Sequence, residues 1–252
     1  MKATITFLLY CFCLIGFSQN KTNFEAANAL YNAGKYAEAI DKYEAILATK
    51  VHSEELYFNL ANANYKLNNI APSIYYYEKA LQLNPNDKAI TNNLAFAQNM
   101  TVDAIDKVPE VGFSRILKNI INKAETDTWA LLAIIGVMLF VILFLAYHFT
   151  YKTAVKRIAF ITSVLSLLVG CFSVVMAFQK DGLDKKDNPA IIFVQETKVK
   201  SDPKAASEEL FRLHEGTKVQ VIETYDNWCK IKLSDNTTGW LPLKDIKLLN
   251  LF

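Results

Sequence analysis

Residues Trp129–Tyr147 read WALLAIIGVMLFVILFLAY, 19 positions without an acid, a base or an amide. A helix needs about 20 apolar residues to cross a hydrocarbon core. A second uncharged run, Ile158–Phe178, follows after the ten residues HFTYKTAVKR (148–157). Neither run has the polar stripe that a soluble amphipathic helix shows at 3.6-residue spacing, so both read as transmembrane helices. Trp129 and Tyr147 bracket the first span as interfacial anchors, and Tyr151 lies near the start of the second. So short a connection forces an antiparallel hairpin. Lys152, Lys156 and Arg157, with no acid among them, place that connection on the cytoplasmic side. Both flanking segments are then expected across the membrane, outside the cytoplasm.

The N-terminus reads the same way. MKATITFLLYCFCLIGFSQN has Lys2, an apolar run from Ile5 to Phe17, and small residues Gly16 and Ser18 spaced as before a cleavage site. This is a secretory signal pattern. An uncleaved anchor is the other reading, but the run is shorter than a full span. Cys11 and Cys13 follow the bulky Tyr10 and Phe12, which argues against lipidation.

Composition narrows the function. A formal net charge of +2 offers no nucleic-acid surface. Without the signal only Cys171, inside the second span, and Cys229 remain, so neither a disulfide framework nor a cysteine metal site is expected. His52, His148 and His214 lie in different segments and make no metal-ligand spacing. The Gly-rich and nucleophile-elbow motifs are missing. His214-Glu215, in LHEGT, reads as a surface turn before Gly216 rather than an acid/base pair. No catalytic, cofactor or metal residue is expected, and the protein reads as a non-enzyme.

Before the spans, a 34-residue offset aligns Phe24 with Phe58, Ala27 with Ala61 and Ala95, Asn28 with Asn62, Tyr31 with Tyr65, Tyr43 with Tyr77, and Leu47 with Leu81. ALYNAGKYAEAIDKYEAIL, with Gly34 and Tyr36 at the turn, Ala39 at a close helix crossing and Tyr43 beneath it, resembles the tetratricopeptide repeat. The next repeat ends in Asn84-Pro85, where proline stops the helix. It carries Asn68 in place of glycine and Ser73 in place of alanine. A third first-helix, Lys88 to Met100, has Leu94 and Ala95 in register and reads as the array's cap.

The resemblance implies a concave peptide groove lined by Phe24, Asn28 and Tyr31 and by Phe58, Asn62, Tyr65 and Lys66. Asparagines one repeat apart would hydrogen-bond an extended peptide while aromatic rings cover its side chains. Packing against a membrane-proximal helix is the other role open to these residues. Some relatives pair such asparagines with lysines to clamp a C-terminal carboxylate, but Phe24 stands at the first lysine position. In VGFSRILKNIINKAETDTW, Phe113, Ile116, Leu117, Ile120 and Ile121 share one face opposite Arg115, Lys118 and Lys123. This helix either lies on the bilayer surface or closes the repeat array.

After the spans the pattern alternates. In WCKIKL, Cys229, Ile231 and Leu233 face one way and Lys230 and Lys232 the other, which makes Cys229 a core residue. LFRLHEGTKVQVIE, WCKIKL and GWLPLKDI together resemble a bacterial SH3 domain from Val194 to Leu249, most specifically at Gly239-Trp240. That resemblance implies recognition of cell-wall peptides or protein segments. Tyr225, Trp228 and Trp240 are candidate contacts, unless a tryptophan instead fills the barrel core.

The expected fold is multidomain: α-helical tetratricopeptide repeats, two transmembrane helices and a small all-β SH3-like barrel. Its boundaries are 1–18 signal peptide, 19–104 repeat array, 105–127 amphipathic juxtamembrane helix, 128–148 and 158–178 spans around a 149–157 loop, 179–189 linker and 190–252 barrel. This order resembles BatE-type proteins of the Bat aerotolerance system. The resemblance implies a scaffold that assembles with membrane proteins carrying von Willebrand A domains, in support of envelope stress tolerance. A peptidoglycan-binding sensor is the alternative, although the short loop offers it no cytoplasmic output. Membrane lipid, other membrane proteins and peptidoglycan are the partner classes; nucleic acid is not.

Overall fold

The computed structural model describes residues 20–105 and 112–250, so the signal-pattern segment lies outside the described residues. The described residues form two compact units, one joining residues 20–105 to 188–250 and the other spanning residues 112–187.

The helical part of the first unit is α1 (residues 20–32), α2 (Tyr36–Leu47), α3 (Glu54–Lys66), α4 (Ile70–Leu83) and α5 (Lys88–Gln98). Ser53 starts α3 by accepting from the Leu56 amide at 3.2 Å, and Asp87 starts α5 through the Ile90 amide at 2.9 Å. The turn after each first helix needs a left-handed residue. Gly34 supplies it at φ +75° and Asn68 at φ +62°, which explains why asparagine replaces glycine there. The other departure from the repeat pattern is equally physical. Ser73 is fully buried where the helices cross, and its hydroxyl donates to the Ala61 carbonyl at 3.1 Å. Ala27, Ala39 and Ala61 are buried without exposure, as close helix crossings require. Ala95 keeps the register of Ala61 but is exposed. Thr91, Ala95 and Gln98 occupy places held by the buried Tyr57, Ala61 and Asn64 one repeat earlier. Among the described residues of this unit no second repeat helix follows α5, and the array's last flank carries small and polar side chains.

The β-part forms one antiparallel sheet from β1 (Pro189–Ile192), β2 (Glu196–Lys200), β3 (Glu209–His214), β4 (Lys218–Tyr225), β5 (Trp228–Lys232), β6 (Thr238–Pro242) and β7 (Ile246–Leu248). The order is β3-β2-β6-β5-β4-β1-β7. Val199, Leu213, Val219, Val221, Cys229, Ile231 and Leu241 fill the barrel core. Burial pushes the Cys229 thiol up to about 12, with the Asp245 charge adding to the effect, so this cysteine is inert.

Sequence alone suggests two separate soluble domains, but the helical array and the barrel share a core. Strand β1 is buried on both faces. Ala190 and Ile192 point into the barrel, whereas Ile191, with Leu249 beyond β7, packs among Tyr57, Ile74, Tyr77 and Ile90 of the helices. Phe193 meets the Tyr75 ring edge-on at 5.5 Å. Polar contacts fix the register of this seam. Asp103 accepts from the His214 amide at 2.7 Å and the Thr217 hydroxyl at 2.6 Å, and its other oxygen lies 2.7 Å from His214 Nδ1. Lys218 pairs with Glu78 at 2.7 Å. The LHEGT turn expected at the surface therefore lies in the seam. Gly216, at φ +85°, leaves only 2.9 Å between an added Cβ and the Ile70 and Thr101 side chains.

Burial alone would raise the Asp103 carboxyl, but the bonds from Thr217 and His214 outweigh it and hold the group below its ordinary 3.8. A depressed folded value stabilises the seam fully above 3.8, and that contribution is lost as pH falls through the lower folded value. We expect protection of the seam amides from hydrogen exchange to decline below that pH, and Asp103→Asn to flatten the decline. An unchanged acid profile in Asp103→Asn contradicts this assignment.

The second unit contains α6 (Phe113–Ile121), α7 (Thr126–Phe149) and α8 (Thr153–Asp184). The last two are 24 and 32 residues of apolar helix, each long enough to span a membrane. They extend past the uncharged runs, so only residues 150–152 stay non-helical, and Lys156 and Arg157 belong to α8. The linker likewise shortens, because α8 continues to Asp184. Small residues let the two backbones meet. A Cβ on Gly136 would lie 2.9 Å from the Gly170 Cα, and the Ser166 hydroxyl donates across the pair to the Gly136 carbonyl at 2.7 Å.

Candidate functional site

A cleft of about 290 Å³ opens on the inner helices, lined by Tyr31, Asn62, Tyr65, Lys66, Tyr77, Asn93 and Phe96. A polar lattice repeats at 34 residues, and its second copy forms the floor of the cleft. The Asn28 carboxamide oxygen accepts from the Tyr43 hydroxyl at 2.5 Å and from Asn59 at 3.1 Å. One repeat later the Asn62 oxygen accepts from the Tyr77 hydroxyl at 2.5 Å and from Asn93 at 3.0 Å. Each tyrosine is buried, and burial raises its hydroxyl well above the usual range, Tyr43 to about 12. These hydroxyls stay neutral and act as donors.

The lattice changes the expected role of the asparagines. Both oxygens are occupied from within, so Asn62 turns only amide hydrogens toward a ligand. With the Tyr65 hydroxyl and the exposed Lys66 ammonium beside it, this end of the cleft offers donors to a ligand's carbonyl or carboxylate oxygens. Phe24 and Phe58 do not line the cleft. They tilt against Tyr43 and Tyr77, with ring centroids at 5.9 and 6.0 Å, and support the lattice from behind. Asn28 belongs to the lattice under the first repeat, while Tyr31 reaches the cleft. Three lining residues, Tyr77, Asn93 and Phe96, are missing from the set expected from sequence. The signal for them was the 34-residue offset itself, which maps Tyr43 to Tyr77, Asn59 to Asn93 and Asn62 to Phe96.

Tyr225, Trp228 and Trp240 share the outward face of the barrel sheet. Trp228 stands opposite Tyr225 on one side and Pro242 on the other. Trp240 lies between Lys200 of β2 and Lys230 of β5, whose ammonium is 5.9 Å from the indole centroid. Both indoles are half-buried and neither joins the barrel core. Among the described residues, no group of three or more His, Cys, Asp or Glu could hold a metal ion.

Comparison with known families agrees with this architecture. Residues 54–87 match the tetratricopeptide repeat and residues 196–247 the bacterial SH3 domain. A search of the curated proteins found no match. The chain thus joins a helical repeat region, two helices able to span a membrane, and an all-β SH3-like region. Both matched domain classes serve protein interaction or peptidoglycan binding and are typically non-catalytic.

Proposed function

We propose that this protein is a non-enzymatic, membrane-anchored scaffold whose repeat cleft captures a segment of another membrane protein on the periplasmic face. The observation that carries the reading is the donor-lined cleft, whose polar floor is fixed from within before any ligand arrives. A prearranged floor lowers the ordering cost of binding. The residues we assign to capture are Asn62, Tyr65, Lys66, Tyr31 and Phe96, with Asn28, Phe24 and Phe58 in support.

Connectivity and charge support the orientation. The flanks of the hairpin fold into one unit, which is consistent with hairpin ends that open on the same side of the bilayer. Lys152, Lys156 and Arg157 at the opposite turn favour the cytoplasm. Domain order supports a place in a Bat-type envelope stress complex, with membrane proteins carrying von Willebrand A domains as partners.

A second reading, a peptidoglycan anchor, is favoured by Trp240 between Lys200 and Lys230 on an open sheet face. Affinity capture from native membranes, set against co-sedimentation with cell-wall sacculi, separates the two. The scaffold predicts discrete membrane-protein partners and no Trp240-dependent binding to sacculi. Sedimentation lost on Trp240→Ala, together with no recoverable protein partner, overturns it.

A further inference from the structure

Helix α6 carries a divided apolar arc. Ile121 is buried, and its carbonyl accepts from the Trp129 indole at 3.0 Å, which ties the end of α6 to the start of α7. Leu117 and Ile120 are half-buried, and α6 packs against α8 within the same unit. The rest of the arc has no cover: Phe113 is 77% and Ile116 57% exposed. At 100° per residue Phe113, Ile116 and Ile120 lie on one side, and the exposed Arg115 projects from the other. Trp129, which makes the tie, is itself the boundary residue of the first span.

We propose that α6 is an interfacial helix that inserts Phe113 and Ile116 into the acyl boundary of the leaflet in which α7 begins, with Arg115 and Lys123 held among anionic headgroups. The proposal rests on the reading of α7 and α8 as membrane spans. The bilayer is the occupant because α6 ends in the bond from Trp129, the boundary residue of the first span, so its uncovered Phe113 and Ile116 stand next to the level at which the hairpin would enter lipid. A water-facing Phe113 and Ile116 would expose apolar surface to solvent with nothing gained. The basic residues complement phosphate headgroups, and the apolar ones match the depth at which such helices bury. The chain entering the spans would thus be fixed along the membrane plane before α7 begins.

Spin labels placed one at a time at residues 115, 116 and 141 test this in the full chain. The background is Cys11→Ser, Cys13→Ser and Cys171→Ala, in vesicles of phosphatidylethanolamine and phosphatidylglycerol. Labelled Ile116→Cys should be reached by oxygen and shielded from a water-soluble nickel chelate, at shallow depth. Labelled Arg115→Cys should show the reverse preference, and labelled Val141→Cys should be deep. A nickel-accessible label at 116 with a deep label at 141 overturns the interfacial helix and leaves the spans standing. A label at 116 reached by neither reagent also overturns it, because protein then covers the arc. A nickel-accessible label at 141 removes the spans and the proposal with them.

Discussion

Ile191→Asp in the full-length protein should release the helical repeats and the barrel together. The side chain is fully buried, and it packs in the helical cluster with Tyr57, Ile74 and Ile90 rather than in the barrel core. An unpaired carboxylate there costs more than about 4 kcal/mol, a large share of what a small domain has. Hydrogen exchange in detergent should show α4 and α5 losing protection along with β1 and β4. Ile222→Asp, at an exposed position of the same barrel, is the control and should stay within about 0.5 kcal/mol of the parent. Helices that keep full protection in Ile191→Asp would mean that the seam is a loose contact and that the soluble parts are independent domains. Ile191→Ala gives a graded version, at a cost of about 2–5 kcal/mol.

The cleft should separate binding from stability, residue by residue. Lys66→Ala with Phe96→Ala removes two exposed side chains that line the cleft and take no part in the lattice. We expect the pair to weaken partner capture by about 2 kcal/mol, or about thirty-fold, with unfolding unchanged. Asn62→Ala behaves differently. It deprives the buried Tyr77 hydroxyl and the Asn93 amide of their shared acceptor, and should cost about 1–3 kcal/mol of stability before any effect on capture. Tyr65→Ala belongs with the binding variants, because its ring stands at the cleft wall. A stable Asn62→Ala would contradict the lattice. Undiminished capture by the Lys66/Phe96 variant would remove the cleft from function.

Much of this architecture was legible in the residues, for reasons that differ from part to part. Two uncharged runs near 20 residues mark helices long and apolar enough to span a membrane, and the 34-residue offset marks stacked helix pairs. The alternation around Cys229 placed the barrel core correctly. The seam was harder to read. Ala190 to Val194 is continuously apolar rather than alternating, as a strand covered on both faces must be, but such a run does not say what covers it. Asp103 and His214 are 111 positions apart, and their pairing leaves no periodic trace. For the same reason the LHEGT turn looked like surface. In the cleft, the positions of Asn62 and Tyr65 followed from the repeat, whereas the direction of the Asn62 carboxamide is set by Tyr77 and Asn93. The vacant flank of α5 is written in Thr91 and Gln98, which replace Tyr57 and Asn64.

The central claim is that the repeat cleft holds a segment of another membrane protein. A photo-crosslinking amino acid at Phe96, on the cleft wall and 61% exposed, tests it most directly in living cells. The account predicts discrete adducts with membrane proteins that disappear when Lys66→Ala is added, while the same crosslinker at Tyr225 on the barrel yields none of them. Adducts only from the barrel face, joined to wall material and indifferent to Lys66→Ala, would contradict it.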